Sequence, residues 1–139
     1  MINLPKLTDS NLENKKVILR LDLDIPENET SRIESALPTI NYLLSKNCKI
    51  IIIGHKGRPE GVDESLSLKS LTSVLEKLIG KPVTFEADGQ IVLKENLRFN
   101  KGEEENSPEF INQLKFYQLL VLRHQLNYFL FVIKLHHVQ

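Results

Sequence analysis

"KIIIIGHKGRP" spans residues 49–59. Four consecutive isoleucines form a short apolar run with no alternation. That pattern suits a strand covered on both faces, as in a parallel sheet. The run stops at Gly54, and His55, Lys56, Gly57, Arg58 and Pro59 follow at once. A two-sided core strand thus gives way to a cationic loop rich in turn residues.

The flanking segments extend this reading. "VILRLDLDIP" (17–26) predicts a strand with Leu19, Leu21 and Leu23 on one face, ended by Pro26. In "SRIESALPTINYLLSKN" (31–47), Ile33, Leu37, Ile40, Leu43 and Leu44 recur at helical spacing. Ser31 and Glu34 are spaced as a capping box, and Pro38 predicts a second helix start near its own position. "SLKSLTSVLEKLIG" (67–80) carries a Leu68, Leu71, Leu75 and Leu78 stripe, with Gly80 as the stop. "KPVTF" (81–85) and "GQIVLKENLRF" (89–99) predict a third and a fourth strand, and a helix is expected to start at Pro108. Alternating strands and helices of this kind build a parallel sheet through right-handed crossovers.

In such sheets ligands collect beyond the carboxyl ends of the strands. Asp22 and Asp24 follow the first strand, and His55, Lys56 and Arg58 follow the second. Arg98 lies near the end of the fourth, and Arg32 opens the first helix. Such cations suit a small, multiply charged anion, because a guanidinium grips phosphate or carboxylate with two parallel hydrogen bonds. Gly54 and Gly57 let backbone pass close to a ligand. Asp22 and Asp24 could orient the arginines or accept a hydroxyl proton. The competing reading is a solvated loop, which is where Arg and His usually sit. The glycines match neither a Walker loop nor a dinucleotide fingerprint. Residue chemistry alone therefore ends at an α/β domain with a candidate anion site.

Composition narrows the class. The chain has 139 residues, with 18 Lys+Arg against 18 Asp+Glu. That balance gives no whole-chain field toward nucleic acid or membrane. The single cysteine, Cys48, cannot form an internal disulfide and reads as a small core residue in a reduced, cytoplasmic setting. The first residues show no basic segment followed by an apolar one, so no secretory signal is expected. Residues 110–139 stand apart: they hold three of the 18 Lys/Arg, none of the Asp/Glu, and no Gly, Ala, Ser, Thr or Pro. Arg123, His124, Gln125 and Asn127 interrupt the apolar runs, which argues against a membrane span. A short hydrophobic helix packed on the sheet is one expectation for this tail. The His136–His137 pair has no partner ligand in sequence and is read as chance rather than a metal site.

Taken together and in order, "VILRLDLDIP", "TSRIESALPTINYLLSKNCKIIIIGHKGRP", "SLKSL…LEKLIGKPVTF" and "LKENLRFNKGEEENSPEF" resemble the N-terminal domain of phosphoglycerate kinases. The first is similar to the family's R-x-D-x-N-x-P signature. The others are similar to its D/S-x-R-I-x-x-x-L-P-T-I, S-H-L-G-R-P and L-E-N-x-R-F-x-x-G-E-E blocks. The resemblance covers about residues 5–110. It implies a three-layer αβα Rossmann-like domain, incomplete here, from a two-domain glycolytic kinase. Such kinases move a phosphoryl group between 1,3-bisphosphoglycerate and ADP, giving 3-phosphoglycerate and ATP. By motif, Asp22, Leu23 and Asp24 would line the triose site. Arg32, His55, Lys56, Gly57, Arg58 and Arg98 would contact its phosphate and carboxylate. Arg32 would stabilise the transferring phosphoryl group, the one catalytic role assigned. This fits phosphoryl transfer, in which positioning and electrostatics dominate. The family works with Mg-ATP or Mg-ADP, held by a C-terminal domain that has no counterpart in this sequence. A monomer acting on a small molecule is the implied state.

The departures are specific. Asp24 stands where the signature has Asn, placing a carboxylate beside an anion site. Lys56 replaces the usual Leu. The link after the third strand is short, where the family has a helical crossover of a dozen or more residues. The resemblance stops near Phe110, and residues 111–139 are read as an aberrant tail whose composition fits a frameshift or a mis-called gene end. Three readings follow: a truncated kinase inactive by itself, a non-catalytic anion-binding module, or a degenerate fragment.

Overall fold

The four isoleucines do form a strand buried on both faces. In the computed structural model, β2 (Lys49–Ile53) lies inside a six-stranded sheet. The structure describes residues 11–26 and 28–100, together with the backbone of two later strands, 120–125 and 128–134. The strands are β1 (Lys16–Arg20), β2, β3 (Thr84–Phe85), β4 (Ile91–Leu93), β5 (Leu120–Gln125) and β6 (Tyr128–Lys134). Their spatial order is β3-β4-β2-β1-β5-β6. All neighbours pair parallel except β5 and β6, which are antiparallel. The fold is the expected α/β class.

Register assigns the two faces. Val17 pairs with Ile50, and Ile50 with Ile91; Leu19 pairs with Ile52, and Ile52 with Leu93. These six share one core with helices α1 (Ser31–Glu34), α2 (Leu37–Ser45) and α3 (Leu71–Ile79), through Ile33, Ile40, Leu43 and Leu75. Ile18, Ile51 and Val92 point to the other face and are buried as well. All three helices lie on one face because β1→β2 and β2→β3 advance in the same direction across the sheet, and right-handed crossovers then fall on the same side.

The helix breaks where proline predicts. α2 starts at Leu37 with Pro38 in its first turn, where a missing N–H costs nothing. The expected Ser31–Glu34 capping box is not formed. The Glu29 carboxylate takes the Ser31 N–H instead (2.9 Å) and also the Ser31 hydroxyl. Those two bonds hold the Glu29 carboxyl below its ordinary value. Glu34 accepts from Thr30 Oγ1 at 3.0 Å. α3 stops at Gly80, as expected.

Three strand expectations are trimmed. β1 ends at Arg20, although Leu21, Leu23 and Ile25 continue into the core on the predicted face. β3 keeps two residues of 81–85. The 89–99 segment is β4 followed by a 3-10 turn at Leu97–Phe99, set by Asn96 Oδ1 accepting the Arg98 N–H (3.0 Å). In the tail, residues 120–134 supply β5 and β6 in place of the expected helix. Leu, Val, Tyr, Phe and Ile dominate both stretches and fit a pleated sheet better than a helix. The expected helix at Pro108 and the His136–His137 pair lie outside the described residues.

Parallel neighbours normally need a long crossover, yet residues 86–90 alone join β3 to β4. They can because β3 and β4 are so short. Thr84 pairs with Val92 and Phe85 with Leu93, so the chain steps back only about two residue rises, roughly 7 Å. Five residues can reach about 17 Å. Glu86 turns the chain at φ 52°, an uncommon conformation for a side chain of this kind. It is held there by its N–H donating to the Leu93 carbonyl (3.0 Å) and by its carboxylate, which takes the Glu95 N–H (2.6 Å) and Lys94 Nζ (2.9 Å). Next to it, Asp88 pairs with Lys49; that ammonium holds the Asp88 carboxyl below its ordinary value.

Cys48 packs in the core with its thiol donating to the Leu12 carbonyl (3.1 Å). Burial pushes the thiol up, outweighing a backbone hydrogen bond from Lys15. Neutral, buried thiols react slowly. Iodoacetamide at pH 8 is therefore expected to leave Cys48 unmodified in the folded chain and to label it fully in urea. Mass spectrometry reads the difference, and rapid labelling without urea would show the cysteine exposed.

Candidate functional site

Parallel strands bring every carboxyl end to one edge. β1, β2 and β4 are adjacent, so the segments after Arg20, Ile53 and Leu93 leave the sheet side by side. Three main-chain bonds carry the alignment past the ladders. Leu21 N–H reaches the Ile53 carbonyl (3.0 Å), Lys94 N–H the Ile52 carbonyl (3.0 Å), and Leu97 N–H the Gly54 carbonyl (3.0 Å).

Gly54 is where the first two segments touch. A Cβ there would lie 2.8 Å from the Leu21 carbonyl oxygen and 2.8 Å from Leu23 Cδ1. Only hydrogen fits. Gly57 sits at φ 63°, a left-handed conformation that favours glycine.

Around this edge the predicted residues form a linked set. Arg32 Nη1, from α1, donates to Asp22 Oδ2 at 2.6 Å and lies 3.5 Å from the Asp24 carbonyl. Asp22 Oδ1 also accepts the Asp24 N–H at 3.3 Å. Asp24 Oδ1 accepts the Gly57 N–H at 3.2 Å, tying the first segment to the second. Arg98 Nη1 donates to the Gly57 carbonyl at 2.9 Å, tying the fourth strand's exit to the same residue. His55, Lys56 and Arg32 are half-buried, while Arg58 and Asp24 are exposed. Leu23 differs from the rest: its side chain is fully buried in the core, so only its main chain faces the edge.

One residue at the centre of this set escaped the sequence reading. Asn96 is the buried polar side chain among the described residues. Its Nδ2 donates to the Lys56 carbonyl (2.8 Å) and to the Leu66 carbonyl (2.9 Å), while Oδ1 takes the Arg98 N–H. It fastens the cationic loop to the arm that carries Arg98. Behind it, Glu95 accepts from Leu68 N–H (2.9 Å), Ser67 Oγ (2.7 Å) and Asn96 N–H (2.8 Å). The local signal was an Asn two residues ahead of an arginine, the spacing of an Asx turn. Its two long-range carbonyls have no trace in the local sequence.

Chemically, the edge offers four permanent cations, Arg32, Lys56, Arg58 and Arg98, against two carboxylates, with His55 alongside. Asp22 absorbs part of the Arg32 charge. The surplus is positive and suits a small anion with more than one charge. Among the described residues no three His, Cys, Asp or Glu side chains gather to hold a metal ion. No helix among them is long and apolar enough to cross a membrane.

Comparison with known proteins places this geometry in context. The family model for phosphoglycerate kinase matches residues 7–120. The phosphoglycerate kinase of Wolbachia sp. subsp. Drosophila simulans is 41% identical over 133 aligned positions, covering 81% of this chain and 33% of that protein. That of Thermosynechococcus vestitus is 39% identical, with the same coverage. Among solved structures, phosphoglycerate kinase from Coxiella burnetii superposes with a TM-score of 0.73 at 30% identity, over 84% of this chain and 34% of that one. The chain thus spans about a third of the length of the relatives it matches. Since 81% of 139 residues is about 113, the Wolbachia alignment holds about 20 positions that this chain lacks. That deficit is the size of one helical crossover.

Proposed function

The chain belongs to the phosphoglycerate kinase family, and we propose that its basic sheet edge binds the triose acid of that reaction, 3-phosphoglycerate. The observation that carries this reading is the hydrogen-bonded set joining Asp22, Asp24, Arg32, Gly57 and Arg98 at the carboxyl ends of three parallel strands. Lys56, Arg58 and Arg98 supply charge to a phosphate and a carboxylate. Arg32, already oriented by Asp22, is the group that would stabilise a phosphoryl in transfer to or from ADP. Leu23 contributes main chain only. The setting is cytoplasmic, and neither nucleic acid nor membrane is a partner.

Because the chain spans about a third of its relatives' length, the 139 residues by themselves are expected to bind without turnover. Calorimetric titration with 3-phosphoglycerate tests the reading. The unmodified chain should bind saturably. Arg32→Ala should bind at least about tenfold more weakly, because a charge-assisted bond is lost and Asp22 is left uncompensated. Equal affinity in the two proteins would remove Arg32, and with it this site, from the account.

A further inference from the structure

The Asp24 carboxylate is bonded to the cationic loop itself. Its Oδ1 holds the Gly57 N–H at 3.2 Å, and its side chain is exposed at the mouth of the edge. Asp22 differs in that its charge is matched by Arg32 at 2.6 Å. The Asp24 contacts seen here are a main-chain N–H and, through its own main chain, Asp22 and Arg32. Its charge therefore stands beside the Gly57 amide, where an incoming anion would seek a donor.

We infer that Asp24 sets the charge selectivity of this edge: it favours less highly charged acids by opposing each negative charge a ligand brings. The inference rests on the anion-site reading above and concerns strength and selectivity within it. Geometry separates two functions of the residue. The hydrogen bond that shapes the loop needs only an acceptor oxygen, which asparagine supplies. The repulsion needs the charge, which asparagine removes. At about 5 Å in a nearly aqueous dielectric, one carboxylate opposes each ligand charge by a factor of about three to four in affinity. A dianionic phosphate group feels roughly the square of that factor, about tenfold, and a monoanion feels it once. Since the edge is open to solvent, salt should shrink both effects.

The test uses the full chain and its Asp24→Asn variant, titrated at low salt with 3-phosphoglycerate and separately with glycerate, which lacks the phosphate. Amide spectra of both proteins establish that the loop is unchanged. The expected result is about thirtyfold tighter binding of 3-phosphoglycerate by the variant, the product of the gains for its dianionic phosphate and its carboxylate. Glycerate should gain only about threefold, and both gains should narrow in 0.5 M salt. Unchanged or weaker binding of 3-phosphoglycerate by the variant, with the unmodified chain binding measurably, overturns the inference and leaves the site reading intact. An equal gain for both ligands overturns charge selectivity. If neither protein binds either acid, the site reading itself falls and takes the inference with it.

Discussion

Asn96→Asp is expected to destabilise the fold by about 3 kcal/mol, at least as much as Asn96→Ala, although it changes the side chain by a single atom. Asn96 Nδ2 donates to two carbonyls, those of Lys56 and Leu66, from a position that is 3% exposed. Aspartate puts an acceptor where both partners are also acceptors. Three lone-pair groups then face one another away from water, and a buried charge is added. Alanine removes the donors without adding the charge, but leaves the same two carbonyls and the Arg98 N–H without Asn96. Each such group costs about 1–3 kcal/mol when buried and unpaired. Urea unfolding of the three proteins at pH 7 reads the effect directly. A midpoint for Asn96→Asp equal to that of the unmodified chain would show that the clamp contributes nothing. The same variants should also weaken anion binding, because the Lys56 and Arg98 segments are both fastened through this residue.

Gly54→Ala carries the second large effect. The added methyl would press to 2.8 Å against the Leu21 carbonyl oxygen and against Leu23 Cδ1. A flexible side-chain tip could yield. The Leu21 carbonyl is main chain at the exit of a central strand, and Leu23 is fully buried. Relief must therefore come from parting the first two strand exits. Overpacking of this kind costs about 3 kcal/mol. That is a large share of the roughly 5–15 kcal/mol that holds a typical domain folded. Moving Gly54 would also disturb the bond between Leu97 N–H and the Gly54 carbonyl. Stability and 3-phosphoglycerate affinity are therefore expected to fall together. A thermal melt of Gly54→Ala within a degree or two of the unmodified chain would contradict this packing.

These residues also show why the sequence was only partly readable. Two-sided burial of β2 could be read from four adjacent isoleucines, because apolar runs report their surroundings directly. Leu19, Leu21 and Leu23 alternate into the core as expected, yet β1 stops at Arg20. Burial follows the side-chain period, while pairing depends on the path of the neighbouring strand. The strand predicted over 89–99 breaks because Asn96 is committed to distant carbonyls, 40 and 30 residues away in sequence. No local pattern encodes such a commitment. The link at 86–90 is too short to join ordinary parallel strands and suffices here because the strands it joins have only two and three residues. The cationic residues could be assigned to one edge in advance because parallel topology alone sends every strand exit there.

The proposed anion site is this edge, with Gly57 at its centre. Two-dimensional amide spectra of the nitrogen-15-labelled chain, recorded during a titration with 3-phosphoglycerate, test it most directly. Saturable shifts are expected at Asp24, at Gly54 to Arg58 and at Arg98, with Gly57 among the largest. Shifts that saturate elsewhere on the sheet, with these amides unmoved, would contradict it.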